Sequence, residues 1–361
     1  MNIVVRADSG MEIGTGHVMR CLTLARALRE QKHNLIFVCK EHEGHIENNL
    51  KKDGFPVFLL LLQEHVDEGL AHSKWLSGTQ QTDAEQTIEI SEQYFESDVD
   101  LIIVDHYGID ARWHTHLNEK SGNTKILVID DLADRDHLCD YLLDQTFMRP
   151  ASDYLQHVPN RCKLLLGTRF ALLRPEFAEE SARAGQIRHL GMDEKSKRVL
   201  VMMGGTDHLN VTERVLKAIQ DETSISQITA VLGPTAPHRN SIERQFGSDP
   251  RFEFLSGASN MAELMLAHDI CFGAAGTASW ERCVMGLPSI VVAFAENQRL
   301  ILSMLNQFGA VSVFELTDTP NSIKKRLHEV CEIETYRNMV ENCFKVSDGL
   351  GAERVIGALK Q

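Results

Sequence analysis

Short, wholly apolar runs alternate along the chain with longer stretches in which apolar residues recur every three or four positions. The runs at 3–5, 35–38, 57–62, 101–104 and 126–129 read as strands, and residues 18–28 keep a helical period. Strands that are apolar at every position are buried on both faces, so the pattern predicts a parallel sheet covered by helices on either side. The alternation restarts at Val199-Leu-Val-Met-Met203 and continues at 228–231, 252–254, 270–272 and 290–293. Two doubly wound α/β domains are expected, over residues 1–180 and 198–361. The charged stretch 179–198, with Gly185 and Gly191 as breakers, reads as their linker. Ligands on such sheets bind beyond the carboxyl ends of the strands, which predicts a central cleft faced by both domains.

The loops after strands therefore carry the chemistry. The first strand runs into Arg6-Ala-Asp-Ser-Gly-Met-Glu-Ile-Gly-Thr-Gly-His17, just before the helical stretch. Gly14 and Gly16 allow a ligand close to the backbone, and free amides at a helix start suit an anion or a sugar diphosphate. His17, kept uncharged at that helix start, has a lone pair for a proton and suits a general base; local capping explains it equally well. A dinucleotide fingerprint fails here, because Met19 stands at the third glycine position, and no Gly-Lys-Ser/Thr of a P-loop follows. Neither a nicotinamide nor a flavin cofactor is expected.

In the second half, Gly204-Gly205 sits in a turn before a helical stretch from Val211. Gly276, Thr277 and Ala278 open another helix, with Glu281 in its first turns. Small residues at a helix start can hold a diphosphate, and a nearby carboxylate can accept from both ribose hydroxyls. A plain turn and a solvated helix glutamate remain the alternatives. Asn297 and Gln298 follow the 290–293 strand and suit a sugar hydroxyl or an attacking water. Asp105-His-Tyr-Gly108 and Asp130-Asp131 close two strands of the first half. Paired acids could bind a divalent cation, but capping and pairing with Arg135 are commoner roles, and no metal is expected.

Composition narrows the partners. The 361 residues carry a formal charge of −14 and no concentrated basic run, which argues against nucleic acid. Apolar runs such as 57–62 are far too short to span a bilayer, and no leader precedes the first strand, so a cytoplasmic protein is expected. Eight cysteines without a Cys-x-x-Cys pair read as small buried hydrophobes rather than a zinc site or a disulfide framework.

Taken together, Arg6-Ala-Asp8, Gly14-Thr-Gly-His17 with Arg20, Asp105-His-Tyr-Gly108, Ile129-Asp-Asp-Leu132, Ala171-Leu-Leu-Arg-Pro-Glu-Phe177, the small-residue helix start, Glu296-Asn-Gln298 and Asp348-Gly-Leu-Gly-Ala-Glu-Arg354 resemble one family. It is that of the UDP-2,4-diacetamido-2,4,6-trideoxy-β-L-altropyranose hydrolases of pseudaminic acid biosynthesis, which serve flagellin glycosylation or surface polysaccharide. The resemblance spans nearly the whole chain. It implies a GT-B fold of two Rossmann-like domains, with the catalytic histidine and sugar site in the first and UDP on the second, and no metal or cofactor. It also implies His17 as the catalytic histidine, with Asn297 and Tyr107 at the sugar site. Arg6, Asp8, Thr15 and Arg20 join the substrate-binding set. The segment 64–86, with His65, His72 and Trp75, matches nothing in the family and is expected at the cleft rim or on the surface.

The expected reaction is attack on the anomeric carbon by water held between His17 and Asn297, with inversion and departure of UDP. A small-molecule UDP-sugar is the partner, and a monomer is expected. A GT-B glycosyltransferase and a UDP-sugar 2-epimerase use similar architecture and are the rival activities; a nucleotide-sugar sensor without turnover is a third reading.

Overall fold

The structure, a computed structural model, describes residues 1–193, 196–205, 207–233, 236–257 and 260–360, apart from the side chains of Glu296 and Asn297. The chain divides into two compact units, Met1–Leu172 with Gly351–Gln361, and Leu173–Leu350.

The first unit is built on β1 (Asn2–Ala7), β2 (Asn34–Lys40), β3 (Val57–Leu60), β4 (Leu101–Asp105), β5 (Lys125–Ile129), β6 (Tyr141–Asp144) and β7 (Lys163–Leu166). They form one parallel sheet in the order β3-β2-β1-β4-β5-β6-β7. Alternate residues of β1 feed opposite faces: Ile3, Val5 and Ala7 enter one buried cluster and Val4 another. The first face is covered by helix Gly16–Glu30, whose Val18, Cys21, Leu22, Ala25 and Leu28 are buried at helical spacing. Helix Gln80–Tyr94, through Ala84 and Ile88, and helix Ala111–Lys120, through Trp113 and Leu117, cover the other.

The second unit holds β8 (Lys197–Met202), β9 (Ile225–Leu232), β10 (Phe252–Ser256), β11 (Ile270–Ala274), β12 (Ser289–Val292) and β13 (Val311–Val313), again all parallel, in the order β10-β9-β8-β11-β12-β13. In each sheet the strand order reverses beside the first strand, at β1/β4 and at β8/β11, where an open parallel sheet places its ligand site.

Three expectations are corrected. Residues 179–198 are not an extended linker: helix Pro175–His189 runs through most of them, starting with proline at its first position. Its charge is that of a partly solvated helix, and a side chain on Gly185 would meet nothing within 4 Å. Residues 351–361 do not belong with the second unit. Helix Gly351–Leu359 buries Val355, Ile356 and Leu359 in the core of the first. Finally, β3 stops at Leu60 because it is an edge strand; Leu61, which the apolar run promised to it, is 71% exposed.

Candidate active site in the first unit

The loop leaving β1 is closed on itself by a two-way bridge, Gly10 N to Gly14 O at 3.2 Å and Gly14 N to Gly10 O at 2.8 Å. Gly14 takes φ +79°, a left-handed conformation that costs glycine least. Thr15 then precedes helix Gly16–Glu30 without capping it by its side chain, and a Cβ on Gly16 would meet nothing within 4 Å. The protein thus leaves open space before the helix start, as a bound group requires.

His17 lies in the first turn and is nearly buried. Its Nδ1 is 2.6 Å from Asp105 Oδ1, at the end of β4, which pairs with β1 in the register Ala7–Asp105. Burial pushes the Asp105 carboxyl up, but Arg20 and His17 more than offset this and hold it well below the usual carboxylate range. An ionised carboxylate only accepts, so Nδ1–H donates to it, and in the neutral ring the lone pair is then on Nε2. Arg20, one turn further along the helix, grips the same carboxylate with Nε to Oδ2 at 2.6 Å and Nη2 to Oδ1 at 2.7 Å. Its Nη1 reaches Asp131 at 2.9 Å, and the Tyr107 hydroxyl donates to the other oxygen of Asp131.

The His17 ring stands edge-on to Tyr107, with centroids 4.6 Å apart, and to Trp75 at 6.4 Å. Trp75 stacks on Tyr107 at 5.8 Å, and His72 leans on Trp75 at 4.4 Å and on Tyr107 at 5.4 Å. The base, its carboxylate partner and three further rings are therefore one cluster. The sequence marked His17, Arg20 and Tyr107; the orienting role of Asp105, the anchoring role of Asp131 and the placement of His72 and Trp75 come from the fold.

Arg6 and Asp8 are corrected from ligand contacts to buried structure. Both are completely buried; Arg6 Nη1 and Nη2 bind Asp8 at 2.5 and 3.0 Å, and Nε and Nη2 bind Asp83 at 2.9 and 2.8 Å. Asp83 also accepts from Trp113 Nε1 at 3.0 Å and lies 3.4 Å from Lys40 Nζ. His106 Nε2 lies 3.2 Å from Asp8. Two cations face two carboxylates with no water-facing surface, so none of them reaches a ligand.

Removing one member strands the rest. Asp83→Ala is expected to lower stability by about 3–5 kcal/mol, since Arg6 and Lys40 stay buried with half their counter-charge, read as a lower urea midpoint. Asp8 and Asp83 both titrate below their usual range. Depressed carboxyls stabilise the fold above the unfolded-state pKa of about 4 and lose that contribution as pH falls towards their folded values. The wild type is therefore expected to weaken below about pH 4, and Asp83→Ala to show a flatter acid limb.

Asp130 and Asp131 are engaged by the chain itself. Asp130 accepts from Tyr154 at 2.9 Å and pairs with Arg135 at 2.8 Å, which keeps it ionised despite burial.

The second unit brings Gly276, at φ +153°, to the start of helix Ala278–Val284, with Thr277 as the residue before it and no side-chain cap. Glu281 faces Arg174 Nη2 at 3.7 Å, and Arg174 pairs with Glu176 at 3.1 Å. Burial raises the Glu281 carboxyl above its usual value, with Arg174 and Arg282 opposing. Gln298 turns its Oε1 to accept from Phe294 N at 2.8 Å, which holds the loop after β12 beside Gly276. The Asn297 side chain lies outside the described residues.

At the other turn, Gly204 takes φ +90°, but Asp207 sits over the next helix and accepts from Val211 N and Thr212 N, both at 2.9 Å. The anion position at that helix start is filled by the protein's own carboxylate. Gly205 instead packs backbone to backbone: a Cβ on Gly233 would lie 1.7 Å from its carbonyl oxygen.

Residues 198–350 match the glycosyltransferase family 28 C-terminal domain. The chain is similar to the crystal structure of Acinetobacter baumannii MurG, with a TM-score of 0.70 at 15% identity over 99% of both chains. It is also similar to an S. aureus MnaA–UDP co-structure, with a TM-score of 0.62 at 14% identity over 99% of this chain and 96% of that one. Two parallel α/β units with these neighbours define a protein of the GT-B class. The UDP-2,4-diacetamido-2,4,6-trideoxy-beta-L-altropyranose hydrolase of Campylobacter jejuni is 30% identical over 234 residues, 65% of this chain and 71% of that protein. The chain belongs to that hydrolase family. Among the described residues, no helix is long and apolar enough to cross a membrane.

Proposed function

We propose that the chain hydrolyses a UDP-linked 2,4-diacetamido-2,4,6-trideoxy sugar to UDP and the free sugar, as a step of pseudaminic acid biosynthesis. The observation that carries this reading is His17, with Nδ1 held 2.6 Å from Asp105, whose carboxyl stays well below the usual range, an arrangement that in the neutral ring turns the Nε2 lone pair to the proton. Water loses its proton to Nε2 as its oxygen bonds to C1. The C1–O bond to the diphosphate breaks, UDP leaves with the electron pair, and the imidazolium returns its proton to solvent. Attack opposite the leaving group inverts the configuration. UDP spreads its charge over the diphosphate and leaves without a general acid, so the two carboxylates of an ordinary inverting glycosidase are not required.

The second unit would hold the nucleotide, with Glu281 accepting from the ribose hydroxyls and the Gly276–Thr277–Ala278 turn beside the diphosphate. Only the ionised carboxylate accepts from both hydroxyls, and its pKa is raised. UDP affinity is therefore expected to fall on acidification at a higher pH than an ordinary glutamate would give, and Glu281→Gln to bind UDP more weakly with a flat pH profile, as read by calorimetry. A wild-type profile as flat as the variant's counts against the ribose role.

The reaction is tested by NMR with the UDP-sugar and no acceptor. Free sugar is expected in step with UDP, the first-formed anomer inverted, and turnover the same in EDTA. A transferase would release no stoichiometric sugar without an acceptor, and a 2-epimerase would incorporate deuterium at C2 in heavy water.

A further inference from the structure

Residues 64–77 form a closed loop seated next to His17 rather than a loose insertion. Ser77 Oγ donates to Gln63 O and accepts from Gln63 N, each at 2.7 Å, which ties the two ends together. Buried Lys40 donates from Nζ to Ser77 O at 2.8 Å. The other side rests on the β4 exit: a Cβ on Gly108 would lie 2.9 Å from the His72 carbonyl oxygen, so that position accommodates only glycine without a shift. Held at both places, the loop delivers His72 and Trp75 against Tyr107 and His17.

Trp75 also lines a cavity of about 210 Å³ together with Glu43, His42 and residues 10–13 of the loop that leads into His17. Met11, Ile13 and the indole offer apolar surface, and Glu12, Glu43 and Lys74 supply charged and polar atoms beside it. Lys74 and Glu12, 2.8 Å apart, link the two loops at the rim. A small group with an apolar end and an amide fits this lining; a bare hydroxyl would leave the indole face unused.

Resting on the hydrolase reading above, we infer that Trp75 is a sugar-binding residue whose indole and adjoining cavity take one N-acetyl group of the substrate, so that the 64–77 loop sets the preference for an N-acylated sugar. The chain contains three tryptophans; Trp113 and Trp280 are 0% and 1% exposed, whereas Trp75 is half-buried. Trp280 lies in the helix assigned to the nucleotide, so the subsite is read as the difference in emission between the wild type and Trp75→Phe, without any need for turnover.

The test titrates the wild type and Trp75→Phe with UDP, with UDP-2,4-diacetamido-2,4,6-trideoxy-β-L-altropyranose, and with the same nucleotide lacking either acetyl group. The full nucleotide is expected to shift this difference, UDP alone to leave it unchanged, and one of the two mono-acetyl forms to lose the shift. In parallel, Trp75→Ala is expected to raise KM about tenfold, a larger effect than on kcat, with UDP affinity unaffected, and Trp75→Phe to recover most of that KM loss because an aromatic face remains. The same shift with UDP alone or in Trp75→Phe, no shift with any nucleotide, or loss of kcat rather than KM in Trp75→Ala overturns the assignment. An emission shift without hydrolysis leaves the subsite standing and removes the hydrolase reading instead.

Discussion

Replacing His17 with alanine is expected to lower kcat by roughly 10²- to 10⁴-fold while UDP affinity stays at the wild-type value. The size follows from the role proposed for it: a lone pair that takes a proton as water bonds to C1. The unchanged affinity follows from where it lies, on the first unit, whereas the groups assigned to the nucleotide belong to the second. Single-turnover kinetics with calorimetry separates the two quantities. Turnover equal to the wild type would remove the base role, and an equal loss of UDP affinity would mean that the substitution disturbs the fold.

Asp105→Asn should cost nearly as much, approaching 10⁴-fold by analogy with removal of the orienting carboxylate in catalytic triads. The asparagine amide can donate to Nδ1 instead of accepting from it, which leaves the imidazole proton on Nε2 and removes the lone pair from the reacting side. Arg20 loses the carboxylate that holds both its Nε and Nη2 and keeps Asp131. The discriminating readout is the kcat pH profile together with near-ultraviolet circular dichroism. A collapse of kcat with native packing identifies tautomer control; a variant that turns over normally means that Asp105 only braces the helix.

Much of this was legible in the chain, and the failures share a cause. β1, β4, β5 and β8 announce themselves because strands in the middle of a parallel sheet are apolar on both faces. β6, β7 and β13 are four, four and three residues long and Asp144, Lys163 and Ser312 cut their apolar runs shorter still, whereas β3, no longer than β6, is apolar throughout. Leu61 shows the converse: apolar character continues one step beyond the sheet edge, where nothing covers it. His17, Arg20 and Tyr107 were readable because they flank a glycine turn or a strand exit. The partnership of His17 with Asp105 was not, because 88 residues separate them and only the parallel register of β1 and β4 brings them together. Arg6 and Asp8 misled in the opposite way: charged residues at a strand exit look like ligand contacts until Asp83, from a segment with no family match, is seen to neutralise Arg6.

Helix Gly351–Leu359 has a consequence for synthesis. Its Val355 and Ile356 complete the apolar cluster that also backs the helix bearing His17, yet a ribosome makes them only after every residue of Leu173–Leu350. The second unit can finish folding while the nascent first unit waits with part of one face of its sheet open to water, the kind of surface that attracts chaperones or drives clumping. Shortening the carboxyl end would harm the amino-terminal half, and a bulky fusion placed there would be felt where the chain began.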